Sequence, residues 1–426
     1  MHRFMYKRNN LYCENLKIEN IAHEVKTPFY LYSHATLLDH YRKLRDAFVP
    51  LKPLICFSMK SNSNLAICRA LIKEGAGLDI VSGGELYRAL KVGADPKKIV
   101  YASVGKTAME IDTAIRKGIL FFNVESIPEL IMIEKMCKRH HKRIKVCLRV
   151  NPNVKANTHH YITTGVSENK FGLEFETAKA VFTQTNNFPH LDIVGLHIHI
   201  GSQITEKAPF VKALRRLSTF VKSLRSDGIR IEYVNIGGGM GITYQKERPQ
   251  TAQGYAKAII PILKKLKVHV ILEPGRFISG NSGVLITKVL YVKKTQRKRF
   301  IIVDAGMNDL MRPALYEAYH EIIPLKKSGR PARNKSGRRS LSKADVVGPI
   351  CESGDYIAKD RLLPQVKEGQ LLAVMSAGAY GFSMSSNYNS RPKVAEAIVV
   401  KGRCYIIRRR ETYKDLIRGE SIPRVL

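Results

Sequence analysis

The run Phe57-Ser58-Met59-Lys60-Ser61-Asn62 carries a primary amine to the end of an apolar stretch that begins at Leu54. An amine in such a place can condense with an aldehyde to form an imine, which is how side chains hold carbonyl cofactors. Alone, Lys60 reads first as surface punctuation after a strand, since nothing local distinguishes it from the lysines that commonly stand there. Four later motifs give it company: His197-Ile198-His199-Ile200-Gly201-Ser202, Gly237-Gly238-Gly239, Glu273-Pro274-Gly275-Arg276 and Cys351-Glu352-Ser353-Gly354-Asp355. Successive glycines after a strand let backbone N–H groups approach an anion such as a phosphate, although tight turns use the same residues. Gly275 and Arg276, at the end of the next strand, would converge on the same anion, and Ser202 would add a hydroxyl. Glu273 ends an apolar strand, where an unanswered carboxylate is costly to bury. A protonated ring nitrogen would suit it; a neighbouring lysine is the plainer partner. His199 is either a core histidine making two hydrogen bonds or an imidazole face for an aromatic ring.

These residues need elements to hold them. Apolar strand candidates recur at about 54–59, 77–81, 98–103, 119–124, 144–150, 193–200, 231–236 and 269–273. Helix-like stretches at 85–92, 107–117, 126–139, 207–226 and 254–266 mostly separate them. Short, nearly continuous apolar strands alternating with helices imply a parallel sheet, and eight of them predict a closed (β/α)8 barrel in an α/β chain. Lys60, Asp79, Asn123, Asn151, His199, Gly237 and Glu273 each fall at or just past the C-terminal end of a different strand, the rim where barrel enzymes place their chemistry. Pro152 to about Pro189 is a longer excursion with His159-His160-Tyr161 and Lys170-Phe171-Gly172, read as a binding loop plus a helix. Upstream, Thr27 to Ser33 reads as extended, with Ser33 placed to cap a helix at about 35–48. Beyond Ser279 the texture turns to alternating strands and turns, which predicts a second, β-rich domain.

The chain's 426 residues are enough for a large α/β domain and a smaller one. No apolar run approaches the length of a membrane span, and the basic start MHRFMYKRNN lacks the apolar core of a signal peptide, so a cytoplasmic chain is expected. Seven scattered cysteines without metal-ligand spacing read as free thiols and imply no metal. The formal charge is +35. Segments 293–299 and 326–339 hold twelve lysines and arginines and no acid, yet no nucleic-acid-binding motif accompanies them. They are expected to be solvated surface with no dedicated nucleic-acid partner. Such a field would also steer acidic substrates.

Together, Lys60 and the four motifs resemble the pyridoxal-phosphate-dependent decarboxylases built on the alanine-racemase-like barrel, from about Thr27 to Arg391. Within that family they are most similar to the members acting on diaminopimelate. The resemblance implies a barrel over residues 31–279 that binds pyridoxal 5′-phosphate, and a β-rich domain over 280–426 joined by residues 1–30. It places Lys60 in an imine with the cofactor and His199 against its ring. The phosphate would fall to Gly237, Gly238, Gly239, Gly275, Arg276, Ser202 and Tyr380. Glu273 would meet the ring nitrogen, where alanine racemases have arginine, and so favour decarboxylation over racemisation. Arg312 and Tyr316 would hold the distal end of the substrate and Glu352 its distal amine, with Arg276 and Tyr380 completing the pocket. An arginine fork suits a carboxylate and would repel the distal ammonium of ornithine. Cys351 would return a proton, working across a homodimer with shared active sites, and Asp79 and Lys170 would support the site from behind.

The implied reaction converts meso-2,6-diaminopimelate to L-lysine and carbon dioxide, a step of lysine biosynthesis. The alternatives are a related amino-acid or polyamine-precursor decarboxylase and a non-catalytic binding protein that retained the barrel. Two departures stand out: His160 where a proline is usual, and a long, basic 326–339 segment.

Overall fold

The computed structural model describes residues 2–154, 170–327 and 341–426. The His159-His160-Tyr161 stretch and all but the first two residues of the basic 326–339 segment lie outside them. The chain divides into two compact units, one comprising 1–37, Tyr244–Lys246 and 279–426, the other 38–243 and 247–278.

The second of these is a closed barrel of eight parallel strands in chain order. They are β1 (Leu54–Ser58), β2 (Gly77–Ile80), β3 (Ile99–Tyr101), β4 (Phe121–Val124), β5 (Ile144–Arg149), β6 (Leu191–His197), β7 (Tyr233–Asn235) and β8 (His269–Leu272), and β8 pairs back to β1. Each matches an expected strand. Helices α1 (Leu65–Lys73), α2 (Gly83–Lys91), α3 (Ala108–Lys117), α4 (Ile127–Arg139), α5 (Phe175–Thr183), α6 (Ala208–Ser226) and α7 (Ala252–Leu266) fill the crossovers.

Local chemistry explains where the helices start. Ser82 and Ser126 accept the backbone N–H of Glu85 and Glu129 at the heads of α2 and α4. Thr107 and Glu110 cap each other reciprocally at the head of α3, which satisfies two otherwise orphaned donors. Below the rim, Cys56, Val100, Phe121, Cys147, Val194 and Ile271 from six strands pack as one apolar cluster. Parallel register brings the polar strand ends to one level: Ser58 lies opposite Asp79, and His197 opposite Asn235. The barrel therefore presents a polar rim over an apolar floor.

The other unit is sheet-rich. Its central strand Gly283–Lys294 pairs antiparallel with Phe29–Ser33, Arg299–Val303 and Leu371–Val374. Phe29–Ser33 also pairs in parallel with Ala395–Val400, which ties the N-terminal residues into this sheet. Ser33 Oγ accepts the backbone N–H of Thr36 at 3.1 Å, the cap anticipated for the following helix. Three short strands, Phe4–Lys7, Asn10–Cys13 and Leu16–Lys17, form a separate small sheet that the sequence reading did not anticipate.

Candidate active site

Lys60 follows β1 in a single 3-10 turn, Met59–Ser61, and its Nζ donates to Asp79 Oδ2 at 3.2 Å. The lysine side chain is about one-third exposed, while the Asp79 side chain is fully buried. Ser58, paired with Asp79 across β1 and β2, donates its hydroxyl to the same oxygen. Burial and the charge of Glu273 push the Asp79 carboxyl above its usual range, against the pull of Lys60 and Ser58.

Glu273, one residue past β8, has its carboxylate organised from three strands. Its Oε1 accepts from Asn235 Nδ2 at 2.6 Å and from Asn123 Nδ2 at 3.1 Å. Its Oε2 stands 3.3 Å from His197 Nε2, at ion-pair distance although off the line of a hydrogen bond. Burial pushes this carboxyl up, but the His197 imidazole, the Lys60 ammonium and the Asn235 amide outweigh that and hold it well below the usual carboxylate range. Glu273 is thus a buried anion on the polar rim of the barrel.

His199 Nδ1 accepts the backbone N–H of Gly238 at 3.3 Å. Burial, with the Lys60 and Arg149 cations nearby, holds the imidazole well below its usual pKa, so near neutrality it is an uncharged ring protonated at Nε2. The glycine run serves the site through its missing side chains. A Cβ on Gly238 would lie 2.2 Å from Glu273 O, and one on Gly237 would lie 2.6 Å from Ile198 O. Gly237 and Gly239 also have φ of +65° and +101°, which a side chain would strain. The expected open row of N–H donors is corrected in part: Gly237 N–H donates to Asn235 Oδ1 and Gly238 N–H to His199. Two of the three donors therefore hold the site's own side chains, because these are the nearest acceptors once strands β6 and β7 are in register. A Cβ on Gly275 would meet Ser58 and Ser61 at 3.0 Å. Arg276, nearly buried, donates from Nη2 to Ser202 Oγ at 3.1 Å.

The barrel thus brings together Lys60, His199, Ser202, Gly237, Gly238, Gly239, Glu273, Gly275 and Arg276. Lys170 lies with its Nζ 5.4 Å from the centre of the Phe171 ring, which also carries the Arg149 guanidinium at 4.6 Å. His197 and Asn235 were missed as working residues. Their signal was available: His197 shares the strand face of His199 at period two, and Asn235 is a polar residue closing an apolar strand.

The remaining expected residues lie in the sheet-rich unit. Arg312 opens the short helix Arg312–Tyr316, is nearly buried, and stacks 4.6 Å from the centre of the Tyr244 ring. Tyr316 is half-buried at the end of that helix. Cys351 and Glu352 sit on an exposed turn, where Cys351 N–H donates to Asn389 Oδ1 at 2.8 Å and Glu352 pairs with the Tyr388 hydroxyl. All seven cysteines are free, and Cys351 is the exposed one. Asp355 welds this turn to the segment leading to Arg312, accepting from Ile350 N–H and Met307 N–H at 2.7 Å each. Tyr380 holds φ of +55°, a strained setting for a side-chain-bearing residue.

A lysine amine, a buried carboxylate, a neutral imidazole face and a side-chain-free glycine seat on one barrel rim fit an aldehyde-bearing, phosphorylated pyridine. Fold and site define a pyridoxal-binding barrel, and the family described as "Pyridoxal-dependent decarboxylase, pyridoxal binding domain" matches residues 34–280. The chain is 44% identical to the diaminopimelate decarboxylase of Vibrio cholerae and 45% identical to that of Pseudomonas aeruginosa, each over 99% of both chains. The crystal structure of Helicobacter pylori diaminopimelate decarboxylase complexed with L-lysine superposes with a TM-score of 0.89 at 42% identity, covering 95% of this chain and 99% of that one. The chain belongs to the diaminopimelate decarboxylase family of pyridoxal-dependent decarboxylases. It is a carboxy-lyase whose cofactor is pyridoxal 5′-phosphate. No helix among the described residues is long and apolar enough to cross a membrane.

Proposed function

We propose that the chain decarboxylates meso-2,6-diaminopimelate to L-lysine and carbon dioxide, the step that supplies lysine, in the cytoplasm and as a homodimer. The observation that carries this reading is Glu273, a buried carboxylate held ionised by two amides and an imidazole on the rim that also bears Lys60. When bound, the cofactor supplies an electron sink for the pair left at the α-carbon as the carboxylate departs.

The chain's own groups do the rest. Lys60 Nζ would hold the cofactor through its aldehyde carbon, and Asp79 keeps the Lys60 amine aimed at the rim. Glu273 would keep a proton on the cofactor's ring nitrogen, because a carboxylate of such low basicity stays negative opposite it. The neutral His199 ring offers its face without adding a second positive charge. Gly237, Gly238, Gly239, Gly275, Ser202 and Arg276 seat the phosphate, joined by Tyr380. Arg312 and Tyr316 take the distal carboxylate, and Glu352 takes the distal ammonium. Cys351 delivers the proton to the α-carbon; the exposure of its thiol supports a role outside the fold's own core.

The test is Arg312→Ala. Removing one partner of a desolvated charge pair costs about 2–5 kcal/mol of substrate stabilisation. Visible absorbance of the bound cofactor should stay normal. Activity on diaminopimelate within a few-fold of the parent would contradict the role.

A further inference from the structure

His320 lies eight residues beyond Arg312 and is fully buried. Its Nδ1 is 2.8 Å from Met375 O, and its Nε2 is 2.9 Å from Arg312 Nη1. A carbonyl oxygen can only accept and a guanidinium nitrogen can only donate. The imidazole therefore carries its proton on Nδ1 and offers the Nε2 lone pair to Arg312.

The ring is held from both ends. Its own carbonyl accepts from Arg361 Nη1 at 2.7 Å, and Arg361 stacks 3.6 Å from the centre of the Tyr319 ring. Met375, the acceptor for Nδ1–H, is itself tied by its N–H to Glu321 O at 2.8 Å. The Tyr244 ring meets the guanidinium at 4.6 Å and His320 edge-on, with ring centres 5.2 Å apart at 80°. A planar fork has two ways to misalign: it can rotate in its plane or tilt out of it. The His320 bond opposes the first and the Tyr244 ring the second.

We infer that His320 is a positioning and specificity-determining residue, which orients the Arg312 fork so that its remaining N–H groups meet a distal carboxylate in bidentate fashion. This rests on the assignment of Arg312 above. A guanidinium free to rotate would still carry its charge but would lose the paired geometry that makes arginine selective for carboxylates.

The test uses the full-length holoenzyme and steady-state kinetics on diaminopimelate for His320→Asn, His320→Gln, Arg312→Ala and the double variant Arg312→Ala/His320→Asn. Asparagine keeps a donor for Met375 O but has no acceptor reaching Arg312; glutamine extends an acceptor to the place of Nε2. His320→Asn should raise KM about tenfold with kcat within about twofold, the loss of one hydrogen bond to a charged group. His320→Gln should return KM to within about threefold of the parent. The double variant should be no worse than Arg312→Ala, since His320 acts through the arginine.

An unchanged KM in His320→Asn overturns the proposal, as does a loss in the Arg312→Ala background equal to that in the parent. A fall in kcat with KM intact also overturns it, marking a merely structural histidine. If His320→Asn does not fold, His320→Gln decides alone: a parental KM supports the proposal and a tenfold rise defeats it. An unchanged KM in Arg312→Ala would instead remove the assignment beneath the proposal, a result that His320→Asn alone cannot produce.

Discussion

Asp79 and Glu273 are both buried on one rim, and their surroundings drive their pKa values in opposite directions. Glu273 has two amides and an imidazole to stabilise its charge, whereas Asp79 has one ammonium, one hydroxyl and the repulsion of Glu273. A raised folded-state pKa means that ionised Asp79 costs stability. The cost is absent below the ordinary carboxylate pKa, grows as pH rises from there to the raised value, and is constant above it. In cofactor-free protein, Asp79→Asn should therefore raise the melting temperature more at pH 8 than at pH 5, while activity of the holoenzyme falls as Lys60 loses its guide. Thermal melts at the two pH values check the sign; a larger gain at pH 5 would mean that Asp79 is a stabilising anion. The identity of Lys60, His199 and Glu273 as a set was legible because each closes an apolar run. Their partners His197 and Asn235 left a signal as polar residues at the ends of apolar strands, but their contacts with Glu273 did not, because these depend on the pairing of strands far apart in sequence.

At the scale of elements, eight strands could be read because both faces of a barrel strand are buried, which leaves a continuous apolar signal. The three short N-terminal strands gave no such signal, being two to four residues long with polar sides exposed. Nor did the sequence reveal the clamp joining the ends of β3 and β4 to the head of α4. Lys106 Nζ, wholly buried, donates to Ser103 O at 2.8 Å, Asn123 O at 2.9 Å and Glu129 Oε1 at 2.6 Å. Asn123 is one of the two amides on Glu273, so this clamp supports the site from behind the strand. Burial pushes the Lys106 ammonium down and the Glu129 carboxyl up, against their mutual attraction. Lys106→Met should cost about 3–5 kcal/mol in chemical denaturation, because it strands Glu129 as a buried charge. Lys106→Met/Glu129→Leu should recover most of that loss. Equal stability of the single and double variants would show that the ion pair does not hold these elements together.

For the whole molecule, the similarity to diaminopimelate decarboxylases runs over the residues of both units. In a two-fold dimer every contact occurs twice, and a Cys351 working in the partner's site would do so in both directions. Lys60→Ala and Cys351→Ala should each be nearly inactive. Co-refolded in equal amounts they should recover roughly a quarter of parental activity, since half the dimers are mixed and each has one intact site. Two dead variants with no recovery despite confirmed exchange would place the thiol in its own chain's site. The central claim, decarboxylation selective for a substrate with a distal carboxylate, is tested most directly by carbon dioxide release from diaminopimelate, ornithine, arginine and lysine side by side with the pyridoxal-phosphate-loaded protein. Release from diaminopimelate alone is the expected result, and equal or faster release from ornithine, arginine or lysine would contradict the account.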